Sequence, residues 1–417
     1  MPASSDGVLS GKGHRASFRT NLRPDKHYFT TFPAFGLTNQ FICIYTSIYM
    51  ALLSDRIPIL QPFIPHYSHL GGHGTFLPIG EVYDLNRLRA VLDLPIVEMW
   101  ELKASTILNT TDPAIEETPV IDEIGCWSMW MTSYGGKYGI SDTYRFQPEW
   151  TPIPQEHVRA GGLQPNLRDT TSLLRIRPPG QDFTLPPGSQ TVLTRLNVTQ
   201  PEMVPDNHVA CLDVTMFMMV EPERWDVTGE WVAGDGAWQA VGRHMRFQPF
   251  WLNLAEVYLR RTFGVAEGDA IPPYIGVHIR RTDFSDTLKA VSLRHYAHAA
   301  SIVQNNIRTY LGVDVKRILV LTDETDPEWL KQIDSFEGWS YVNHEAAKTK
   351  ELGLWYPTLL DTVMMSGGIG LVGLYKSTMA IMASHRVTEW NAGVAKLLQH
   401  DYGLQVPDGW EWANSRG

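Results

Sequence analysis

The chain has 417 residues and a formal net charge of −10, and 43% of its residues are hydrophobic and 19% charged. This composition is typical of a folded soluble protein of about two domains and argues against a largely disordered chain. The acidic balance, without a Lys/Arg run, excludes the basic face of a typical nucleic-acid binder.

Membrane and targeting signals are absent from the sequence as it stands. No apolar run is long enough to span a bilayer, and the polar first twenty residues lack the apolar segment of a signal peptide. The sequence by itself therefore favours a cytoplasmic protein. The secretory pathway is the alternative if the N-terminus is incomplete.

The cysteines predict neither a zinc site nor a disulfide framework. Cys43, Cys126 and Cys211 are odd in number, far apart and without a C-x-x-C pair. Cys43 and Cys211 lie in apolar runs, so we expect buried thiols there. Three histidines in the Gly-rich loop at residues 62–80 match no standard metal spacing, and we expect a solvated loop.

The first half of the chain opens with a βαβ pattern. Residues 28–40 predict a strand and a turn at Gly36, residues 41–54 a helix, and residues 56–60 a second strand. An amphipathic helix is predicted over residues 81–92.

The middle of the chain has weaker periodicity. Residues 103–200 are rich in Pro, Thr and Trp and predict a long elaboration of the first domain with short helices. Residues 208–220 are β-like. Apolar positions at helical spacing over residues 238–263 predict a long helix that leads out of the first domain.

The second half alternates strands and helices, which predicts a parallel, doubly wound sheet. The predicted strands are 274–279, 317–322, 339–342 and 369–373, and the predicted helices are 293–311, 327–333, 358–365 and 377–386. The fold class expected for the whole chain is α/β, with two Rossmann-like domains whose parallel sheets face a central cleft. The first domain spans 1–245, with a divergent insertion at about 103–235, and the second spans 246–417.

Polar groups follow three of these strands, where ligands of open parallel sheets bind. The segments are HIRRTD (278–283), TDE (322–324) and GLYKST (373–378), and the last one opens a helix. A helix N-terminus with Ser377 and Thr378 suits a phosphate, and an Arg fork suits a diphosphate. The alternatives are a plain N-cap and a solvated Arg–Asp pair at a strand end. Strand alternation puts His278 and Arg280 on one face and Arg281 on the other.

Three motifs resemble one family in order and spacing. VHIRRTDF resembles the HxRxxD region of the GDP-fucose protein O-fucosyltransferases, and VGLYKSTMAIMASHRVTEWN resembles the C-terminal motif of that superfamily. GLTNQ, residues 36–40, is similar to its N-terminal G-x-x-N-Q turn. The chain as a whole looks most like fungal, basidiomycete-type members. The resemblance covers residues 28–100 and 240–392 and is weak between 103 and 235.

The resemblance implies a GT-B-like fold and an inverting glycosyltransferase that moves fucose from GDP-fucose to a hydroxyl acceptor. It assigns Arg280 to the β-phosphate and to stabilisation of the departing GDP. It places four further side chains in the nucleotide-sugar pocket: His278, Asp283, Ser377 and Thr378. The sequence has no DxD metal triplet, so we expect fixed cations and the helix N-terminus to replace a metal, with no cofactor.

Three further site residues come from the same resemblance. Asp361 is a candidate for the guanine edge, because a carboxylate accepts the two N–H donors of guanine; its alternative is a solvent-facing helix residue. Gly36 shapes the N-terminal turn of the site. Asn39 is expected to face the sugar or the acceptor, and its alternative is an amide that caps the turn.

The chain departs from the family near the N-terminal turn. TTFPAFGLTNQF carries neither the Arg nor the catalytic Glu of some relatives, so no general base is assigned. A non-catalytic nucleotide-sugar or glycan-binding protein on the same fold is therefore the alternative. The acceptor, whether protein, glycan or small molecule, is left open. A two-domain NAD enzyme is disfavoured because GLTNQ is not G-x-G-x-x-G.

Overall fold

The computed structural model describes most of the chain. The described residues are 7–11, 15–65, 70, 76–103, 120–129, 144–154, 157, 167–197, 203–213, 215, 236–281, 291–375, 377–398 and 413–414. They form two compact units. The first holds the described residues up to Arg246, and the second holds those from Phe247 onward.

The first unit is built on a six-stranded sheet in the order β3-β2-β1-β6-β4-β5. Every neighbouring pair is parallel. The strands are β1 (Tyr28–Thr31), β2 (Ile57–Leu60), β3 (Val97–Glu98), β4 (Asp122–Ser128), β5 (Phe146–Pro152) and β6 (Val209–Leu212). The helices are α1 (Leu37–Leu53), α2 (Ile79–Val82), α3 (Leu85–Leu92), α4 (Met99–Leu102), α5 (Leu167–Ser172), α6 (Pro187–Leu196) and α7 (Gly236–Ala240). The predicted βαβ unit is β1-α1-β2.

The middle segment contributes more to the fold than its sequence indicates. Two of the six strands of the first sheet, β4 and β5, lie within residues 103–200, where an elaboration with short helices was expected, and β6 lies within the predicted β-like segment 208–220. Pro148 and Pro152 lie in β5, which is an edge strand and so tolerates residues that cannot donate to the ladder. Only one position of β4 is exposed, so this strand has no polar alternation for a sequence pattern to detect.

A disulfide between Cys126 and Cys211 corrects the prediction that these cysteines form no bridge. The two residues are 85 positions apart in sequence, but β4 and β6 are neighbours and bring their Cα atoms to 4.7 Å. Both side chains are fully buried. Cys43 is a buried thiol outside the disulfide, as predicted, whereas the thiol expected at Cys211 is part of the bridge. The pairing was not predictable from spacing because it depends on the strand order.

The second unit has a six-stranded sheet in the order β12-β11-β10-β7-β8-β9. All pairs are parallel except β11 with β12. The strands are β7 (Tyr274–Ile279), β8 (Arg317–Thr322), β9 (Trp339–Tyr341), β10 (Gly370–Leu374), β11 (Val394–Leu398) and β12 (Ala413–Asn414). The helices are α8 (Pro249–Phe263), α9 (Leu293–Leu311), α10 (Pro327–Lys331), α11 (Thr349–Leu352), α12 (Tyr356–Gly367) and α13 (Thr378–Trp390).

The alternating pattern of the second half is confirmed. β7, β8 and α9 have the predicted bounds, whereas α12 and α13 each run a few residues beyond theirs. The long helix expected over 238–263 is instead two helices, α7 and α8, with a short 3-10 turn at Gly242–His244. Pro249 explains the break, because proline lacks the N–H that a helix interior requires and is favoured at a helix start.

Both units therefore have the α/β class and the Rossmann-like parallel sheets that the sequence predicts. This pair of sheets is consistent with the GT-B-like architecture that the motif resemblance implies. The central strands β7 and β10 are buried at every position, and the apolar core on one face of the sheet includes Ile275, Val277, Val320 and Val372. Among the described residues, no helix combines the length and the apolarity that a membrane span requires.

The disulfide predicts the thiol count of the denatured protein. Protein secreted through an oxidising compartment should titrate one thiol when denatured without reductant, and three after reduction. A Cys43→Ser variant is the matched control and should titrate none before reduction. Three reactive thiols in the unreduced wild type would contradict the pairing.

Candidate functional site

The candidate site lies at the carboxyl edge at the centre of the second sheet. β7 lies between β8 and β10, and all three run parallel. His278 lies near the end of β7 and Arg280 follows that strand, Asp323 follows β8, and Ser377 follows β10. Because parallel strands end at one edge, the three polar segments that the sequence singled out converge here.

His278 is a buried, neutral imidazole. Burial lowers the pKa of His278 to about 4, with the nearby Arg280 charge adding to the effect and Asp323 opposing it. Its Nδ1 lies 3.3 Å from the Ser377 Oγ. That hydroxyl accepts from the Ala380 N–H at 3.4 Å and can donate its own proton to Nδ1. In that tautomer the neutral His278 carries its proton on Nε2.

Arg280 is held at the strand end by Asp323. Its Nε lies 3.4 Å from the Asp323 Oδ2, and the side chain keeps about a fifth of its surface exposed. The other carboxylate oxygen of Asp323 accepts from the Arg281 backbone N–H at 2.7 Å. One carboxylate therefore fixes both the backbone after β7 and the guanidinium of Arg280. The sequence indicated polar groups after β8 but did not assign Asp323 this role.

Arg281 points away to a different set of partners. Its Nε donates to the Glu324 Oε2 at 2.6 Å, and its guanidinium lies 4.7 Å from the centroid of the Trp329 ring. Partial burial alone would raise the pKa of Glu324, but backbone N–H donors and Arg281 outweigh it, and the net pKa is lowered. Arg281 is thus a structural arginine, as the alternation of β7 indicates.

The N-terminus of α13 completes this edge. Ser377 is its N-cap, which is the alternative considered from the sequence, and Thr378 is the first helical residue. A Cβ at Gly373 would lie 2.5 Å from the Ala380 Cβ, so only glycine lets the end of β10 approach the first turn of the helix. The free backbone N–H groups of that turn give the site a partial positive charge.

Asp361 lies in a second cluster, which we call the His344 cluster: Tyr258, His344, Thr349 and Asp361. The His344 Nε2 lies 2.8 Å from the Asp361 Oδ1, and the two side chains are 17% and 15% exposed. Asp361 is therefore not the solvent-facing helix residue of the alternative interpretation. His344 was not predicted from the sequence, where it is a single histidine in a polar segment.

In the first unit, the Asn39 side chain at the start of α1 keeps a hydrogen-bond acceptor that the described residues do not use. Gln40 locks the turn, since its side-chain amide donates to the carbonyls of Phe35 and Ile64 at 2.8 Å. The Asn39 Oδ1 is buried and accepts no hydrogen bond from the described residues. Asn39 therefore does not cap the turn. Gly36 is the N-cap of α1 with an extended backbone, and Phe35 takes the left-handed conformation with φ 69°.

Two of the sequence-based predictions concern residues that the structure does not describe. Asp283 and the three histidines of the 62–80 loop lie outside the described residues. Within the described ranges, no group of three or more His, Cys, Asp or Glu residues could hold a metal ion.

Comparisons with known proteins give remote structural likenesses. No family model and no curated protein matches the chain. An apo form of POFUT1 is 14% identical, with 90% of this chain and 98% of that chain covered and a TM-score of 0.49. POFUT1 in complex with GDP-fucose is 14% identical (87% and 95% covered, TM-score 0.47). Fucosyltransferase NodZ from Bradyrhizobium is 12% identical (89% and 95% covered, TM-score 0.42).

The His344 cluster makes a prediction about proton binding. Burial alone would lower the pKa of His344, but Asp361 outweighs it and the pKa is raised. The stabilisation from this pair is thus fully present below the unfolded pKa of about 6.5 and is lost as pH rises through the folded pKa. In an Asp361→Asn variant, NMR titration should show the His344 pKa falling below its wild-type value. A His344→Gln variant identifies the resonance, and an unchanged pKa would contradict the pairing.

Proposed function

We propose that the chain is a metal-independent, inverting glycosyltransferase that moves fucose from GDP-fucose to a hydroxyl acceptor. The observation that carries the proposal is the convergence of Arg280, neutral His278 and the α13 N-terminus at one sheet edge. The motif resemblance, which includes the basidiomycete-type likeness, supports the choice of donor.

The proposed site suits a diphosphate. A guanidinium binds two phosphate oxygens through parallel N–H donors, and a helix N-terminus adds backbone N–H groups. The His278 Nε2–H adds a neutral donor. Because the Ser377 hydroxyl serves as helix cap and partner of His278, we assign its role to positioning, with Thr378 beside it at the helix start.

The reaction depends on stabilisation of developing charge and needs no covalent intermediate with the protein. The bond between the fucose anomeric carbon and the β-phosphate oxygen breaks, and its electron pair leaves with GDP. Positive charge develops on the sugar ring and negative charge on the diphosphate. Arg280 and the helix dipole stabilise the negative charge. The acceptor oxygen then bonds to the opposite face of the anomeric carbon, which inverts its configuration.

The acceptor proton does not require a strong base on this path. In a dissociative transition state the acceptor hydroxyl becomes acidic as its bond to carbon forms, so a water molecule on the acceptor side can take the proton. An amide such as Asn39 is not a base, but it can form a hydrogen bond with a sugar or acceptor hydroxyl. We assign Asn39 to that role, with Gly36 at the turn that presents it, and Asp361 to the guanine edge.

The alternative function is a non-catalytic nucleotide-sugar or glycan-binding protein. It is favoured by the absence of Asp, Glu or His from the segment TTFPAFGLTNQF. Both functions predict GDP binding, and only the enzyme consumes the donor.

The Cys126–Cys211 disulfide bears on the cellular compartment. It favours an oxidising environment, so we propose the secretory pathway over the cytoplasm.

Nucleotide binding tests the proposed phosphate site. By calorimetry without metal, Arg280→Ala should weaken GDP binding about 10- to 100-fold, because hydrogen bonds to a charged phosphate are lost. Arg281→Gln is the matched control. It breaks the contact with Glu324 and should change GDP affinity less than about threefold, since a partly exposed ion pair contributes little. Equal losses in both variants, or no binding by folded wild type, would contradict the site.

Donor turnover separates the enzyme from the binding protein. Wild-type protein should release GDP from GDP-fucose, at an equal rate with and without a chelator, and Arg280→Ala should lower kcat by about 10²- to 10³-fold. A chelator that abolishes turnover would refute metal independence. Stoichiometric GDP-fucose binding with no GDP release over days, with a range of hydroxyl acceptors, would establish the binding function.

A further inference from the structure

We propose that His344 is a positioning residue that holds Asp361 in the orientation needed to select guanine over other bases. The inference rests on the proposed function, because it concerns the base of the same nucleotide donor. It adds a specificity-determining residue from outside the three motifs.

The four residues of the His344 cluster form a continuous series of hydrogen bonds, with members on three helices. The Tyr258 hydroxyl, on α8, lies 2.9 Å from the Thr349 Oγ1 on α11. The Thr349 Oγ1 lies 3.0 Å from the His344 Nδ1, and the His344 Nε2 lies 2.8 Å from the Asp361 Oδ1 on α12. A carboxylate on a helix surface normally rotates about its terminal torsion. Here one of its oxygens has a fixed donor.

The hydrogen bond from His344 to Asp361 is kept whether or not His344 is protonated. With neutral His344, Tyr258 donates to Thr349, Thr349 donates to Nδ1, and Nε2–H donates to Asp361. With the imidazolium, Nδ1–H donates to Thr349, which then donates to Tyr258. Only two hydroxyl protons reorient between these states. The Nε2–H donor to Asp361 is present in both, so the carboxylate stays oriented over the pH range in which His344 titrates.

The arrangement does not make Thr349 a nucleophile. An aspartate, a histidine and a hydroxyl in series resemble a hydrolase triad, but Thr349 is fully buried and no substrate can reach its oxygen. Among the described residues, Lys350 disfavours the protonated form of His344, and the Arg261 guanidinium lies 5.6 Å from the Tyr258 ring centroid. The hydrogen-bonded series ends at the carboxylate of Asp361, which is partly exposed.

That carboxylate has the acceptors that guanine requires. Guanine offers two parallel donors, N1–H and the 2-amino group, whereas adenine and uracil lack this pair. The Asp361 Oδ2 has no partner among the described residues, and Oδ1 keeps a second lone pair beside the His344 contact. Both oxygens can therefore face the base only while their plane is held, which is what the Nε2–H contact does.

The test compares GDP with inosine diphosphate, which lacks only the 2-amino group. Calorimetry of the wild type should give about 10- to 100-fold tighter binding of GDP, the value of one hydrogen bond to a charged group. His344→Asn, whose amide is too short to reach Asp361, should reduce this ratio to about threefold or less. His344→Gln places an N–H near the Nε2 position and should retain most of the ratio. Thermal unfolding of each variant monitors the fold.

A double-mutant cycle separates positioning from a general structural role. Asp361→Asn should abolish the GDP preference, and adding His344→Asn should then change the ratio no further. An unchanged ratio in folded His344→Asn, or an equal loss of both nucleotides, would overturn the proposal while leaving the proposed function intact. Absence of GDP binding by the wild type would overturn the proposed function itself, and the role of His344 with it.

Discussion

The parallel alignment of β7 between β8 and β10 is the constraint on which the candidate site depends. It brings together the ends of three strands that are about forty or more residues apart in sequence. Asp323 can clamp Arg280 only because β8 ends beside β7. Ser377 can reach His278 only because β10 ends on the other side, with Gly373 admitting the first turn of α13. If the strand order differed, the same residues would be three unrelated loop ends.

The electrostatics of this edge combine one fixed cation with neutral donors. Burying His278 beside Arg280 suppresses a second positive charge, because the imidazolium would be both desolvated and repelled. Asp323 holds the Arg280 side chain in place. The other hydrogen-bond donors of this edge carry no formal charge. Under the proposed function, these donors are in place before the diphosphate arrives. Preorganisation of this kind is what an enzyme without a bound metal needs to stabilise a departing anion.

Much of the second unit could be predicted from the sequence, because buried strands that alternate with amphipathic helices leave clear patterns. The bounds of β7 and the separation of Arg280 from Arg281 followed from burial and strand alternation alone. The roles of Asp323 and His344 could not be predicted, since each depends on which elements are neighbours. The same reason explains the missed Cys126–Cys211 pair. In the middle segment, prolines on an edge strand and a nearly fully buried β4 removed the periodicity that prediction requires.

A crystal structure of the protein with GDP tests the nucleotide site directly. We expect the β-phosphate within about 3 Å of the Arg280 guanidinium and of the backbone N–H groups that open α13. We expect the guanine edge against the carboxylate of Asp361. GDP bound elsewhere on the molecule, or with its phosphates away from the end of β7, would show that this sheet edge is not the nucleotide site.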